Sequence, residues 1–331
     1  MGFVKYRTSK LLFGICGTVA LSMLSLVEMT KETKAEPALL ALGTSSTGSG
    51  PYRWGVALAN VTNKGQSDFK ISAQSTAGFR ENAILVSEGS VALALNDSSV
   101  IAAAYRGLGS FKVQSEKYKK LRWLTGIITA AGHCVVRADS GTKSLSEIKG
   151  LKWNVSIKAT ATRKISERIF KSSGFSINDI KKFELPTKET FDAIQNRVID
   201  GSCNIYGIGY PRLTALATSV PMRVLPFDDD TFGRFNKLSA GGATRMTIPA
   251  NSYPGQSQDV PTFGLIVPII ASADMDERQV YKIVKKFWQG LDELHKQKAF
   301  AKLKLTKAMA YGPGVVPVHP GAERYYKEVF K

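Results

Sequence analysis

Residues 38–60, ALLALGTSSTGSGPYRWGVALAN, constrain the fold more than any other stretch. Leu39, Leu40 and Leu42 make an apolar run of strand size. Gly43 to Gly50 make a loop of small residues with hydroxyls at Thr44, Ser45, Thr47 and Ser49. A helix carrying Val56, Ala57, Leu58 and Ala59 follows. The first N–H groups of a helix have no partner inside it, and its N-terminus is the positive end of the dipole. Such a junction suits a carboxylate or phosphate. A helix cap and turn is the competing reading of the same hydroxyls, although four exceed what one cap needs.

The same order, strand then polar loop then helix, returns at Ile71–Glu88 and Val155–Ser173. Further strands are expected at Val91–Leu95, Leu121–Ile128, Cys134–Arg137, Lys152–Ile157, Lys182–Glu184, Cys203–Tyr206, Met222–Pro226, Arg245–Ile248 and Phe263–Ile270. Helices are expected between them, including Pro211–Thr218, Asp228–Lys237, Glu277–Lys298 and Gly321–Val329. Alternation of this kind predicts an α/β fold with largely parallel strands. The repeat predicts two lobes that offer helix N-termini to a shared cleft. The chain would cross between them near Val135–Arg137 and again near Phe263–Ile270. The expected boundaries are residues 36–137 with 263–331 for the first lobe and 138–262 for the second.

Residues 1–35 read as a cleaved secretion leader. Lys5, Arg7 and Lys10 precede an apolar core at Leu11–Val27, with a small-residue cleavage site after Ala35. The core is short for a spanning helix; a retained N-terminal anchor is the alternative. Cys16 lacks the small preceding residue of a lipoprotein site. Formal charge is +18, and the leader accounts for +3 of it. The lysines are scattered over helical segments, with no nucleic-acid motif beside them. The charge therefore reads as attraction for small anions or an anionic membrane surface, with no nucleic acid partner. Cys134 and Cys203 remain after leader removal. An oxidising compartment permits a bond between them. Each lies in an apolar strand-like run, which favours two buried free thiols.

Other candidates sit at the starts of helices. Thr76 opens one. Asn96, Asp97 and Ser98 follow a strand at the place where α/β sheets put cleft residues. Lys158, Thr160, Thr162 and Arg163 begin the Ala161–Ser173 helix, where a cation opposes the dipole unless an anion comes between. Tyr206 begins a glycine turn that ends at Pro211. Capping, turn formation or surface solvation is the competing reading at each. Asp228, Asp229 and Asp230 fit a helix start better than a metal site. Three histidines, His133, His295 and His319, form no legible catalytic or metal motif, and Gly43–Gly50 lacks the ending of a nucleotide-binding P-loop. No enzyme, cofactor or metal is expected.

Several blocks, in order, resemble a known family. They are Gly43-Thr44 through Gly55, and Ala73-Gln74-Ser75-Thr76-Ala77-Gly78 with Glu81-Asn82. Ala94-Leu95 with Ser98 and Val136-Arg137-Ala138-Asp139-Ser140-Gly141 follow. Ile248-Pro249-Ala250 with Tyr253-Pro254-Gly255-Gln256, and the ending His319–Tyr326, are the most distinctive. The chain resembles the TAXI-type extracytoplasmic solute receptors of tripartite ATP-independent periplasmic (TRAP) transporters over essentially its whole length beyond the leader. The resemblance implies a two-lobed periplasmic binding protein of the class II type. It would be a monomer in the periplasm that closes on a small carboxylate in an interlobe cleft. A dicarboxylate, an acidic amino acid or a 2-oxoacid would be its ligand, and an ion-gradient-driven membrane permease its partner. Departures are Ser45, Ser46 and Ser49 in place of family glycines, and Lys158 before Ala159-Thr160-Ala161-Thr162 in the second-lobe loop. A sensory receptor of the same fold and an exported hydrolase are the rival readings.

Overall fold

Strands and helices alternate along the computed structural model, which describes residues 36–331 except 159, 298 and 302. The expected leader, with Cys16, lies outside the described residues. The order is β1 (Ala38–Gly43), α1 (Gly50–Asn63), β2 (Phe69–Gln74), α2 (Phe79–Ser87), β3 (Leu93–Leu95) and α3 (Ser98–Tyr105). Then come β4 (Leu121–Arg137), β5 (Lys152–Asn154), α4 (Ala161–Ser172), β6 (Lys181–Phe183), α5 (Thr187–Gln195), β7 (Gly201–Tyr206) and α6 (Pro211–Ser219). The chain continues through β8 (Met222–Val224), α7 (Asp229–Leu238), β9 (Thr244–Ile248) and β10 (Val260–Ser272). It ends with α8 (Glu277–Gln289), α9 (Leu291–His295), α10 (Lys307–Tyr311) and α11 (Pro320–Val329).

The α/β class read from the sequence is the observed one, but the strands are not largely parallel: the two longest, β4 and β10, pair antiparallel with each other and with β3, β7, β8 and β9. The strands run β2-β1-β3-β10-β4-β7-β5-β6, with β8 beside β4 and β9 beside β10. β1 is parallel to β2 and β3, and β5 is parallel to β6 and β7. β4 and β10 lie between these parallel groups and are antiparallel to each other from Leu121↔Ser272 to Ala131↔Gly264. The register slips at Val267/Pro268, where proline has no N–H to offer the ladder. The expected strands Leu121–Ile128 and Cys134–Arg137 are one strand of 17 residues. Small residues at Thr129–Gly132 hide its continuity in the sequence.

Amphipathic faces hold the helices on the sheet. In α8, Val280, Ile283, Val284 and Phe287 recur at helical spacing and are buried with Leu58, Val61, Phe69 and Leu95. Each such side chain contributes about 1.5–3 kcal/mol on burial, well above the few tenths that propensity supplies, so the face decides the helix. The expected helix Glu277–Lys298 breaks at Gly290, where an added Cβ would lie 2.0 Å from Val61 Cγ1. A second set of cores lies around β5 and β7, with Trp153, Ile169, Phe170, Phe227 and Phe235 on one side and Ile199, Leu213 and Leu216 on the other.

The favoured reading of the cysteines is corrected here. Cys134 of β4 and Cys203 of β7 are directly paired across the antiparallel ladder, with Cα atoms 4.0 Å apart, and form a disulfide. Pairing across strands depends on register, which neither apolar run displays on its own. No helix of the described residues is long and apolar enough to cross a membrane.

Candidate functional site

β1, β2 and β3 end together, and their following loops meet at one buried amide. Asn82, on α2, is fully buried; its Nδ2 donates to Thr44 O and Leu95 O, each at 2.7 Å. Its Oδ1 accepts from Thr76 Oγ1 at 2.8 Å. Thr44 is itself fully buried and donates to Gln74 O at 2.7 Å. Its Cγ2 lies where a Cβ on residue 55 would be, which fixes Gly55. Ser49 caps α1 by accepting from Tyr52 N at 3.2 Å. Ser45 is half-buried, and Thr47 is exposed.

The second cluster of first-half candidates is structural in its contacts. Asn96 donates to Phe79 O and accepts from Asp97 N, both at 2.9 Å. Asp97 caps α3, accepting from Ser99 N, Val100 N and Ser99 Oγ. This helix therefore carries its own anion at its positive end. Ser98 is fully buried and accepts from Ile266 N at 3.1 Å.

Across β4 and β10, the carboxyl ends of β5 and β7 meet the starts of α4 and α5 at a small polar cavity of about 10 Å³, room for one water-sized group. Asn154 and Thr190 form its frame. Asn154 Nδ2 donates to Leu185 O and Thr190 Oγ1, and its Oδ1 accepts from Ser156 N and Leu185 N. Ser156 follows at φ +68°, in the left-handed region that a non-glycine residue seldom adopts. Strain of this kind concentrates at functional sites. Thr162 and Thr187 line the cavity from the two helices, and Ser202, Asn204 and Tyr206 line it from β7. Thr160 caps α4 by accepting from Arg163 N and also donates to Ile157 O.

Ser202 is 4 % exposed, and among the described residues its hydroxyl has no hydrogen-bond partner. The Tyr206 hydroxyl accepts from Asn204 Nδ2 at 3.0 Å, which leaves its own proton to donate. Burial pushes the Tyr206 phenol well above its usual range, so it stays protonated. The ring is stacked on Tyr210 at 4.6 Å. Behind this wall lies His133. Its Nδ1 faces Ala131 O at 2.8 Å and its Nε2 faces the Tyr253 hydroxyl at 2.8 Å. A carbonyl only accepts, which puts the proton on Nδ1 and makes Tyr253 the donor to Nε2. Burial lowers the His133 pKa to about 4, so the ring is neutral near pH 7.

The cations differ in how they are held. Lys158 is exposed, and its charge helps hold Glu184 below the usual carboxylate range, behind the hydrogen bond that Glu184 accepts from Arg163. Arg163 also bonds Glu167, so it belongs to a framework of ion pairs. Arg168 of α4 reaches the other half of the sheet, donating to Ser99 Oγ at 3.3 Å and to Ser239 Oγ at 3.2 Å. Nearby, a Cβ on Gly242 would lie 2.4 Å from Ser98 O. Asp228 caps α7 through Thr231 N. Among the described residues, no hydrogen bond joins the Thr44–Ser49 loop to the polar cavity.

Thr160, Thr162 and Tyr206 are legible here from the sequence, whereas Asn154, Thr187, Thr190, Ser202 and Asn204 are not. The alternation of polar residues at 202, 204 and 206 with Cys203 and Ile205 is the signal that marks them: one face of β7 is polar where the strand ends.

Residues 42–329 match the NMT1-like family. The chain belongs to that family. Its structure is similar to the periplasmic aliphatic sulphonate binding protein SsuA from Escherichia coli, with a TM-score of 0.46 and 17% identity, over 88% of this chain and 79% of that one. It is also similar to the alkanesulfonate-binding protein SsuA from Xanthomonas axonopodis pv. citri bound to MOPS, with a TM-score of 0.40 and 16% identity over 88% and 84% of the two chains. The L-cystine solute receptor of Neisseria gonorrhoeae, in its unliganded open conformation, is similar with a TM-score of 0.44 and 12% identity over 80% and 94%.

Proposed function

We propose that this family member is a periplasmic solute receptor of the TAXI type, which closes on a small organic acid and delivers it to an ion-gradient-driven TRAP permease. It does no covalent chemistry. The lobes are residues 36–137 with 263–331 and residues 138–262, hinged on β4 and β10. The observation that carries this reading is the cavity at the ends of β5 and β7. There, hydroxyls and amides, with no charged side chain in the lining, lie beside two helix N-termini, an arrangement suited to a small polar ligand.

In the first lobe, the side chains of Thr44, Thr76, Asn96, Asp97 and Ser98 shape the loops, and Ser45 and Thr47 remain to meet the ligand. In the second, Thr162 and Tyr206 face it, Thr160 holds the start of α4, and Lys158 supplies a cation at the rim. A ligand shifts the open–closed balance only through contacts that differ between the two states. Contacts from both lobes meet that requirement, and Arg168 to Ser99 is a contact between lobes already present.

The test is a thermal-shift screen of residues 36–331 against C4–C6 dicarboxylates, acidic amino acids, 2-oxoacids and aromatic acids. A micromolar ligand at millimolar concentration stabilises the folded state by about 4 kcal/mol, a clear rise in Tm. A selective rise with one acid class is expected. No rise with any acid, in protein shown by native mass spectrometry to carry no bound ligand, would remove the proposal.

A further inference from the structure

One surface loop carries positive charge and apolar surface that the receptor reading leaves unused. Residues 106–122 hold six lysines and arginines and one acid, a net charge of +5. Within this segment Leu108 is 46 % exposed and Val113 78 %. Phe111, between them, turns inward, and its ring meets that of buried Tyr118 edge-on at 5.1 Å. Arg80 of α2 donates to Ser110 Oγ at 2.9 Å. The loop is thus pinned at Ser110, Phe111 and Tyr118 while two aliphatic tips stand in solvent. Lys117 and Lys120 are paired with Glu88 and Asp274. Arg80, Arg106, Lys112 and Lys119 form no ion pair among the described residues. Lys119 lies over the Tyr105 ring at 4.7 Å, and Glu116, the one acid of the segment, is exposed.

Single exposed apolar residues are ordinary on a protein surface. Two on one pinned loop, flanked by cations that no carboxylate neutralises, call for a partner that is both anionic and apolar. Aromatic residues anchor most protein interfaces. Here Phe111 and Tyr118 face the core, and what stays outside is aliphatic and cationic. That division suits a lipid surface, where apolar tips reach the acyl boundary and cations remain at the headgroups. We propose that residues 106–120 dock this protein on anionic phospholipid, with Leu108 and Val113 inserted and Arg80, Arg106, Lys112 and Lys119 at the headgroup level. Each such cation strengthens attachment about fivefold. Two aliphatic side chains bury far less than one lipid chain, so the attachment is reversible, and salt weakens it. The surface is separate from the polar cavity, and the proposal does not depend on which solute the receptor takes.

Co-sedimentation of residues 36–331 with vesicles of phosphatidylglycerol and phosphatidylcholine, against phosphatidylcholine alone, tests this at low salt. Binding to the anionic vesicles should be stronger by about tenfold or more. Leu108→Ser with Val113→Ser should weaken it about tenfold at unchanged Tm. Lys112→Glu with Lys119→Glu should weaken it further. Lys171→Glu with Lys188→Glu makes the same change in total charge at exposed positions on α4 and α5, and should cost less than about threefold. An environment-sensitive fluorophore on Val113→Cys protein should shift to shorter wavelength on the vesicles, and one on Val198→Cys protein should not. Wild-type protein with no preference for anionic vesicles overturns the proposal. So does an equal loss from the two lysine pairs, which would assign binding to total charge, and so does an unshifted fluorophore at position 113 in bound protein. Binding to native membranes but not to protein-free vesicles overturns it in favour of a protein partner.

Discussion

At the ends of the first-half strands, polar side chains turn inward and tie loops to one another. At the ends of β5 and β7, some turn toward open space. Thr44, Thr76, Asn96, Asp97 and Ser98 each have a partner within their own half. Ser202 has none, and Tyr206 keeps a free proton. Each half nevertheless uses the same device for its frame, a buried asparagine that joins three segments: Asn82 in one, Asn154 in the other. The similarity of the frames separates what builds a strand-end site from what the site then offers. Two further features tie β4 to the second set of cores, the Cys134–Cys203 bond to β7 and the His133–Tyr253 pair behind the aromatic wall.

The disulfide gives the sharpest way to break this comparison. Its cysteines are separated by 69 positions, and chain entropy assigns such a crosslink about 4 kcal/mol. Replacing both cysteines with serine should lower unfolding stability in urea by about that amount. An unchanged midpoint would mean that the second half is braced by packing alone.

His133 comes next. Its pKa is lowered from 6.5 to about 4 in the folded state, so the unfolded state binds more protons between those values. Stability is therefore fully present above pH 6.5 and falls as the pH drops towards 4, by about 3 kcal/mol. His319, also lowered by burial, adds to the same slope. Urea melts at pH 7 and pH 4.5 should show the loss, and His133→Gln should flatten most of it. An equal slope in that variant would place the effect elsewhere.

The two asparagines sharpen the comparison directly. Asn82→Ala takes the side-chain donor from two carbonyls and the acceptor from the Thr76 hydroxyl, and about 2 kcal/mol is expected. Asn154→Ala also strands two backbone N–H groups, and about 3 kcal/mol is expected. Equal costs would mean that the frames are interchangeable. The smallest effect is at Lys158. Lys158→Ala should leave Tm unchanged and weaken acid binding by about threefold, the scale of an exposed cation near an anion. Unchanged affinity would remove Lys158 from the site.

The fold was largely legible because its signal is local. Strand-sized apolar runs such as Leu39–Leu42 alternate with helices whose faces repeat at 3.6 residues, and α8 shows this in full. What stayed hidden depends on pairing between distant segments. Cys134 opposite Cys203 is a matter of register. The frame residues Asn82 and Asn154 are ordinary polar residues until distant segments gather around them. Of the candidate site, Tyr206 and Thr162 are legible beside a turn and a helix start. Ser202, inside a strand and next to a cysteine, carried no mark beyond the alternation of its face.

β4 contributes to every core described. Leu124 and Ile127 pack with α8, Leu121 and Trp123 with the α2–α3 layer, Cys134 and Val136 with α4 and α7, and Ala131 and Val135 with α5 and α6. A strand shared in this way couples the fates of the two halves. Neither can melt while the other keeps a complete core, so the chain should lose its structure in one cooperative step, with the slowest amide exchange along β4. Opening and closing must then be a bend within a ladder that stays intact, a motion with little energetic overlap with unfolding.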